Sequence, residues 1–114
     1  MELIMDAYGS HEVAVSAMVA SDEIILVTGR STYSFVLEDP AERRGLLRGG
    51  SATGQTAYFC GTLDGPASFH ASGIRPGARA LFLIDDGAGG IACRRFLTST
   101  VREVHVIKRN GEPA

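Results

Sequence analysis

The chain has 114 residues, 45% of them hydrophobic and 21% charged, with a mean hydropathy of +0.09. That balance fits one globular domain spanning residues 1–114 and excludes a disordered or low-complexity chain. Eleven basic against thirteen acidic residues leave a formal charge of −2, which argues against general nucleic-acid binding. No apolar run approaches the roughly 20 residues of a membrane span. The N-terminus lacks the positive region of a secretory signal. A cytoplasmic location without membrane contact is therefore expected.

The charge is unevenly placed. Glu2, Asp6, Glu12, Asp22 and Glu23 all precede the first basic residue, Arg30. Either an acidic N-terminal segment packs against a more basic remainder or the asymmetry is chance. Lys108 is the single lysine among the basic residues. The arginines reflect a GC-rich genome or a use for bidentate contacts to carboxylates and phosphates.

In chain order, residues 2–20 are the least decided. Leu3, Ile4 and Met5 can begin a strand. Ser10 can cap a short helix over 11–20 with Val13, Ala14, Ala17 and Met18 on one face. The same stretch contains Val-Ala-Val and also fits a strand; helix is the slight preference. From Asp22 the pattern turns to strands. Residues 23–28 form an apolar run suited to burial on both faces. Tyr33, Phe35 and Leu37 alternate with polar neighbours, as in a half-buried strand. Asp39-Pro40 opens a turn. Leu46 and Leu47 mark a short strand ending at Gly49-Gly50, and residues 56–63 form the next, closed by Asp64-Gly65-Pro66. Residues 68–71 are a brief strand.

Ile74-Arg75-Pro76-Gly77 reads as a type II turn, with Pro supplying the first central φ and Gly the second. Ala80, Phe82 and Ile84 share one face of a strand over 79–84. A flexible hairpin loop comes next at Asp85-Asp86-Gly87-Ala88-Gly89-Gly90. Residues 91–97 and 101–108 are read as the last two strands, with the tail 109–114 fraying. Seven or eight short strands with fourteen scattered glycines point to an all-β sandwich or small barrel, with at most one helix within residues 9–20. Tyr33, Phe35, Phe59, Phe82, Ile84 and Val104 are expected to share one core.

Several of these pieces form an ordered pattern: Thr28-Gly29-Arg30-Ser31-Thr32-Tyr33, then Gly49-Gly50, Gly61-Thr62, Gly73 to Arg79, and Thr98-Ser99-Thr100-Val101. Over residues 23–108 this resembles a family of small uncharacterised bacterial all-β proteins. Their pattern reads T-x-N-S-x-Y, GG, G-x-I-x-x-G-x-R and T-S-x-V. Arg30 stands where that pattern has Asn, and Thr100 where it has Pro. The resemblance implies a fold and carries no activity.

Polar residues that suggest chemistry are few. Arg30, Ser31, Tyr33, Arg79, Thr98 and Ser99 are the candidate ligand or partner contacts. The hydroxyls either cap turns or, with an arginine, hold an anion. His11, Cys60, His70, Cys93 and His105 show no metal-ligand spacing, so neither metal nor other cofactor is expected. Cys60 and Cys93 lie in apolar runs, as reduced buried cysteines do. Cys60 and His70 are placed to meet across a turn, without a third orienting group. His105 and Glu103 fall on one solvated face. Asp85-Asp86 suits a turn better than a carboxylate dyad. Residues 49–54 lack the Lys-Ser/Thr ending of a phosphate loop. The doublets Arg43-Arg44, Arg94-Arg95 and Lys108-Arg109 could carry single-stranded nucleic acid if aligned with Tyr33 or Phe35.

No reacting group has a supporting partner, so the leading expectation is a non-enzymatic interaction domain. It would be a homo-oligomer or an accessory subunit, meeting a protein partner or itself through an exposed strand edge. The final strand, 101–108, is the candidate edge. The alternative is a β-barrel with a regulatory role that binds a small anionic ligand.

Overall fold

Apolar residues recur at every second position through most of the chain after Asp22, and the backbone obeys that period. The computed structural model describes residues 4–7, 13–50, 52–65, 68–71, 73–85 and 93–108. Its elements are β1 (Ile4–Ala7), β2 (Val13–Ala14), a single 3-10 turn (Val15–Ala17), β3 (Glu23–Thr28), β4 (Thr32–Asp39) and β5 (Arg44–Gly49). After these come β6 (Ala52–Asp64), β7 (Ser68–His70), β8 (Gly73–Ile74), β9 (Arg79–Asp85) and β10 (Cys93–Lys108).

Antiparallel pairing runs from β3 through β4, β5, β6, β9 and β10, and β10 returns to β3. The sheet closes on itself, which decides between sandwich and barrel: this is an all-β barrel. β1 adds to the end of β10, β7 adds to the end of β6, and β2 pairs with β8 as a separate ribbon. Closure satisfies backbone groups that an open sheet would leave at its edges.

The lumen is filled by the inward phase of each strand. Ile24 and Leu26 of β3, Phe35 and Leu37 of β4, Leu47 of β5, Phe59 of β6 and Phe82 and Ile84 of β9 are all buried in one cluster. The Phe82 ring lies 5.1 Å from Phe35 and 5.6 Å from Phe59, centroid to centroid, in tilted and edge-on geometries. Such geometries suit aromatic quadrupoles. All six residues expected to share the core belong to this cluster.

Four readings of the sequence are corrected. Residues 13–20 hold β2 and one 3-10 turn rather than a helix; residues 9–12 lie outside those described. β3 is buried on one face only, since Ile25 and Val27 are half-buried on the barrel's outside. The last two strands are one. β10 runs unbroken through Thr98-Ser99-Thr100 because two bulges absorb the change of phase, between Leu97 and Thr100 against β9 and between Val101 and Glu103 against β3. Each bulge adds a residue and re-aims the side chains beyond it. Thr98, Val101, Val104 and Val106 therefore all point inward, while Arg102 and Glu103 are both exposed. Finally, residues 101–108 are not a free edge: β3 pairs along one side from Val101 to Ile107, and β1 covers the other side from His105 to Lys108.

Candidate functional site

β3 ends at Thr28, opposite Val101, whereas β10 continues along β9 through residues 93–100. Beyond Thr28, then, no part of β3 stands between that arm of β10 and the start of β4. The Phe96 ring of β10 meets the Tyr33 ring of β4 edge-on at 5.6 Å. Above this contact lies an open cleft of about 660 Å³. One wall is Leu97, Ser99 and Thr100 of β10 with Arg79 of β9; the other is Arg30, Ser31 and Tyr33, with Gly50 from the β5–β6 turn.

Each wall is fixed locally. The Thr28 hydroxyl accepts the amides of Arg30 and Ser31 at 3.2 and 3.0 Å and donates to the Ser31 carbonyl at 2.9 Å. This closes a tight turn by the side-chain route that Thr favours. The turn is thus capped by Thr28, which leaves the Ser31 hydroxyl to the cleft. Gly50 has φ +53°, and a Cβ there would come within 2.8 Å of the Tyr33 ring. Glycine lets the β5–β6 turn close over that ring.

On the opposite wall, Arg79 Nε donates to the Thr98 carbonyl at 2.8 Å. The Thr98 hydroxyl accepts the Ala80 amide at 3.0 Å and donates to the Ser99 carbonyl at 2.7 Å. Thr98 is buried. It stabilises the bulge that turns Ser99 and Thr100 outward and holds the Arg79 guanidinium in place.

Five of the six candidate contacts therefore line one cleft, and the sixth, Thr98, lies beneath it. Thr100, Leu97 and Gly50 complete the lining and were not among the candidates. Their role depends on the bulge and on the early end of β3, neither of which has a local sequence signal. Neither the Arg30 nor the Arg79 guanidinium makes an ion pair with any described residue, and Arg79 is held by its hydrogen bond to the Thr98 carbonyl. No carboxylate among the described residues lines the cleft. A second cleft of about 410 Å³ is lined by Leu63, Gly65 and Gly77, and shares Arg79 and Thr100 with the first.

Other candidates are dispersed. The His70 ring lies 3.4 Å from Arg75, and no hydrogen bond joins it to Cys60. Cys93 is exposed and Cys60 half-buried, both as free thiols, so the expectation of two buried cysteines is corrected. Both sit near the barrel's outer surface rather than in its lumen. Burial pushes the Cys60 thiol above its ordinary range, and a backbone hydrogen bond at Leu83 and the Arg43 charge pull the other way. His105 meets Glu103 at 2.9 Å, as their shared face implied. Tyr33 and Phe35 are buried and offer no stacking platform for bases. His11, Asp86 and Arg109 lie outside the described residues. Among those described, no three metal-ligating side chains gather, and no helix is long and apolar enough to cross a membrane.

No family model matches the chain, and no curated protein or solved structure is found to match it.

Proposed function

We propose that the barrel binds a small anionic ligand in the cleft between β10 and the β3–β4 turn, as a cytoplasmic binding or regulatory module. One observation carries the reading: Arg30 and Arg79, far apart in sequence, face one cleft whose described lining contains hydroxyls and no carboxylate. Guanidinium groups left without counter-charge favour an anion there, and hydroxyl donors add direction to it. The residues come from separate strands and turns of a closed barrel, so the site is largely organised before a ligand arrives.

Titration with inorganic phosphate, monitored by amide chemical shifts, tests this. Saturable shifts centred on Ser31, Gly50, Ser99 and Thr100 are expected. Shifts scattered over all exposed arginines, or none, would reject the site.

A second reading keeps the chain as an interaction domain, a self-associating protein or an accessory subunit. It is favoured by Phe69, 49% exposed on β7, whose three residues are all exposed. Large exposed apolar side chains mark contact surfaces when they form patches. Val19 is another such residue, at 46%. Sedimentation velocity at micromolar concentration tests the self-association branch: a monomer removes it.

A further inference from the structure

The two clefts adjoin at Arg79 and Thr100, which line both, yet their other walls differ in chemistry. The first brings a second guanidinium and the hydroxyls of Ser31 and Ser99. Beyond the shared pair, the second offers Leu63 and two glycines, with no charged group among the described residues. A bare phosphate would occupy a small part of the combined space. The order of the strands produces this division: Arg79 is the first residue of β9, with Leu63 of β6 on one side and Thr100 of β10 on the other. A ligand gripped at Arg30 and Arg79 thus extends, past Thr100, over an uncharged surface.

Resting on the anion-binding reading, we infer that the ligand class is an anionic head carrying an uncharged, mainly aliphatic tail. The head sits between Arg30 and Arg79, and the tail crosses Thr100 to lie against Leu63. The guanidinium of Arg79, anchored through Nε to the Thr98 carbonyl, turns its remaining donors to the head. Methylenes laid on Leu63 leave water on one side only, so each contributes less than a fully buried one.

Calorimetric titration with phosphate, ethyl phosphate, butyl phosphate and hexyl phosphate, and with hexanol as a tail without a head, tests this on the whole chain. Affinity is expected to rise about twofold per methylene until the second cleft is filled, with hexanol not binding measurably. Leu63→Thr replaces the apolar wall of the second cleft with a polar one, and Gly65→Asn places polar bulk in it. Gly65 has φ +79° with open space at its Cβ position, a conformation Asn tolerates. Both variants are expected to abolish the gain from the tail while leaving the phosphate affinity as in the wild type.

If phosphate binds but the series is flat, the tail inference is overturned and the anion site stands. If the gain persists in both variants, the tail lies elsewhere and the inference is likewise overturned. If neither phosphate nor any ester binds, the anion-binding reading itself fails. A gain from hexanol alone would mean an apolar site independent of the arginines, and would overturn the assignment.

Discussion

The arginines at the two ends of β4 live in different electrostatic settings. Near Asp39, where β4 turns into β5, Arg44 lies 3.0 Å from Glu42 and 3.8 Å from Asp39. In the neighbouring β6–β8 region Arg75 pairs with Asp64, and Arg43 donates to the Ala71 carbonyl while its guanidinium stands 5.9 Å from the centre of the Phe59 ring. At the Thr32 end, Arg30 has no carboxylate among the described residues and Arg79 is held only by a carbonyl. The first group is satisfied within the fold. The second lines a cleft without a carboxylate among the described residues. The contrast separates arginines with partners inside the fold from arginines left without a counter-charge among the described residues, a distinction that net charge alone obscures.

The largest effect belongs to the core that holds both ends together. Phe82→Ala removes a fully buried ring that touches Phe35 and Phe59. It should cost about 3–5 kcal/mol in denaturant unfolding. An unchanged midpoint would mean that the inward phase of β9 is misassigned.

Next comes the Asp22–Lys108 pair. Asp22 is fully buried and accepts the Val19 amide at 3.1 Å and Lys108 Nζ at 2.8 Å. This contact joins the acidic N-terminal part to the basic remainder. Lys108→Met leaves a buried carboxylate with only the Val19 amide. Because Lys108 is 41% exposed, a loss of about 1–3 kcal/mol is expected rather than the full cost of a buried orphan charge. A neutral outcome would put Asp22 among the groups that the fold does not need paired.

The arginine comparison itself is sharper in binding than in stability. Arg44→Ala should change stability by about 1 kcal/mol or less, as exposed pairs do, and should leave phosphate binding intact. Thr98→Val keeps the volume but removes the hydroxyl that fixes the bulge. It should weaken phosphate binding through Arg79, and Thr98→Ser should restore it; failure of Ser to restore binding would argue against the hydroxyl.

The smallest effect is in the thiols. Cys93 is exposed, while the Cys60 thiol is half-buried with its proton held more tightly. A thiol reagent at neutral pH should label Cys93 first and Cys60 slowly. The folded state keeps Cys60 protonated at a pH where the unfolded thiol ionises. Its contribution to stability is complete below the unfolded thiol's range and is lost as pH rises through the higher folded value. Equal labelling rates would contradict the difference in burial.

Much of the barrel was legible because alternation is a local signal. Tyr33-Phe35-Leu37 and Ala80-Phe82-Ile84 announce their inward faces without reference to any partner strand. The Pro76-Gly77 centre of the turn was legible too, although the turn runs from Arg75 to Ala78 rather than from Ile74: Gly77 has φ +92°, and the Ala78 amide reaches the Arg75 carbonyl at 3.4 Å. The continuity of β10 was not, because a bulge breaks the period at Ser99 and again at Arg102, and a broken period reads as a loop. The division of β3 into a core face and an outer face was also hidden, since Ile25 and Val27 are as apolar as Ile24 and Leu26. For the cleft, residue chemistry pointed to Arg30, Ser31, Tyr33, Arg79 and Ser99. Only the closure of the barrel places them around one space, and only the bulge brings Thr100 to it.

The most direct test is phosphate titration of three proteins in parallel at low and high salt: the wild type, an Arg30→Ala/Arg79→Ala variant, and an Arg44→Ala/Arg75→Ala variant. Each pair removes the same formal charge. Saturable binding is predicted for the wild type and the Arg44/Arg75 variant, with its loss in the Arg30/Arg79 variant and the fold intact by circular dichroism. Equal weakening in both variants would mean that phosphate responds to overall charge, and would contradict a built site between β10 and the β3–β4 turn.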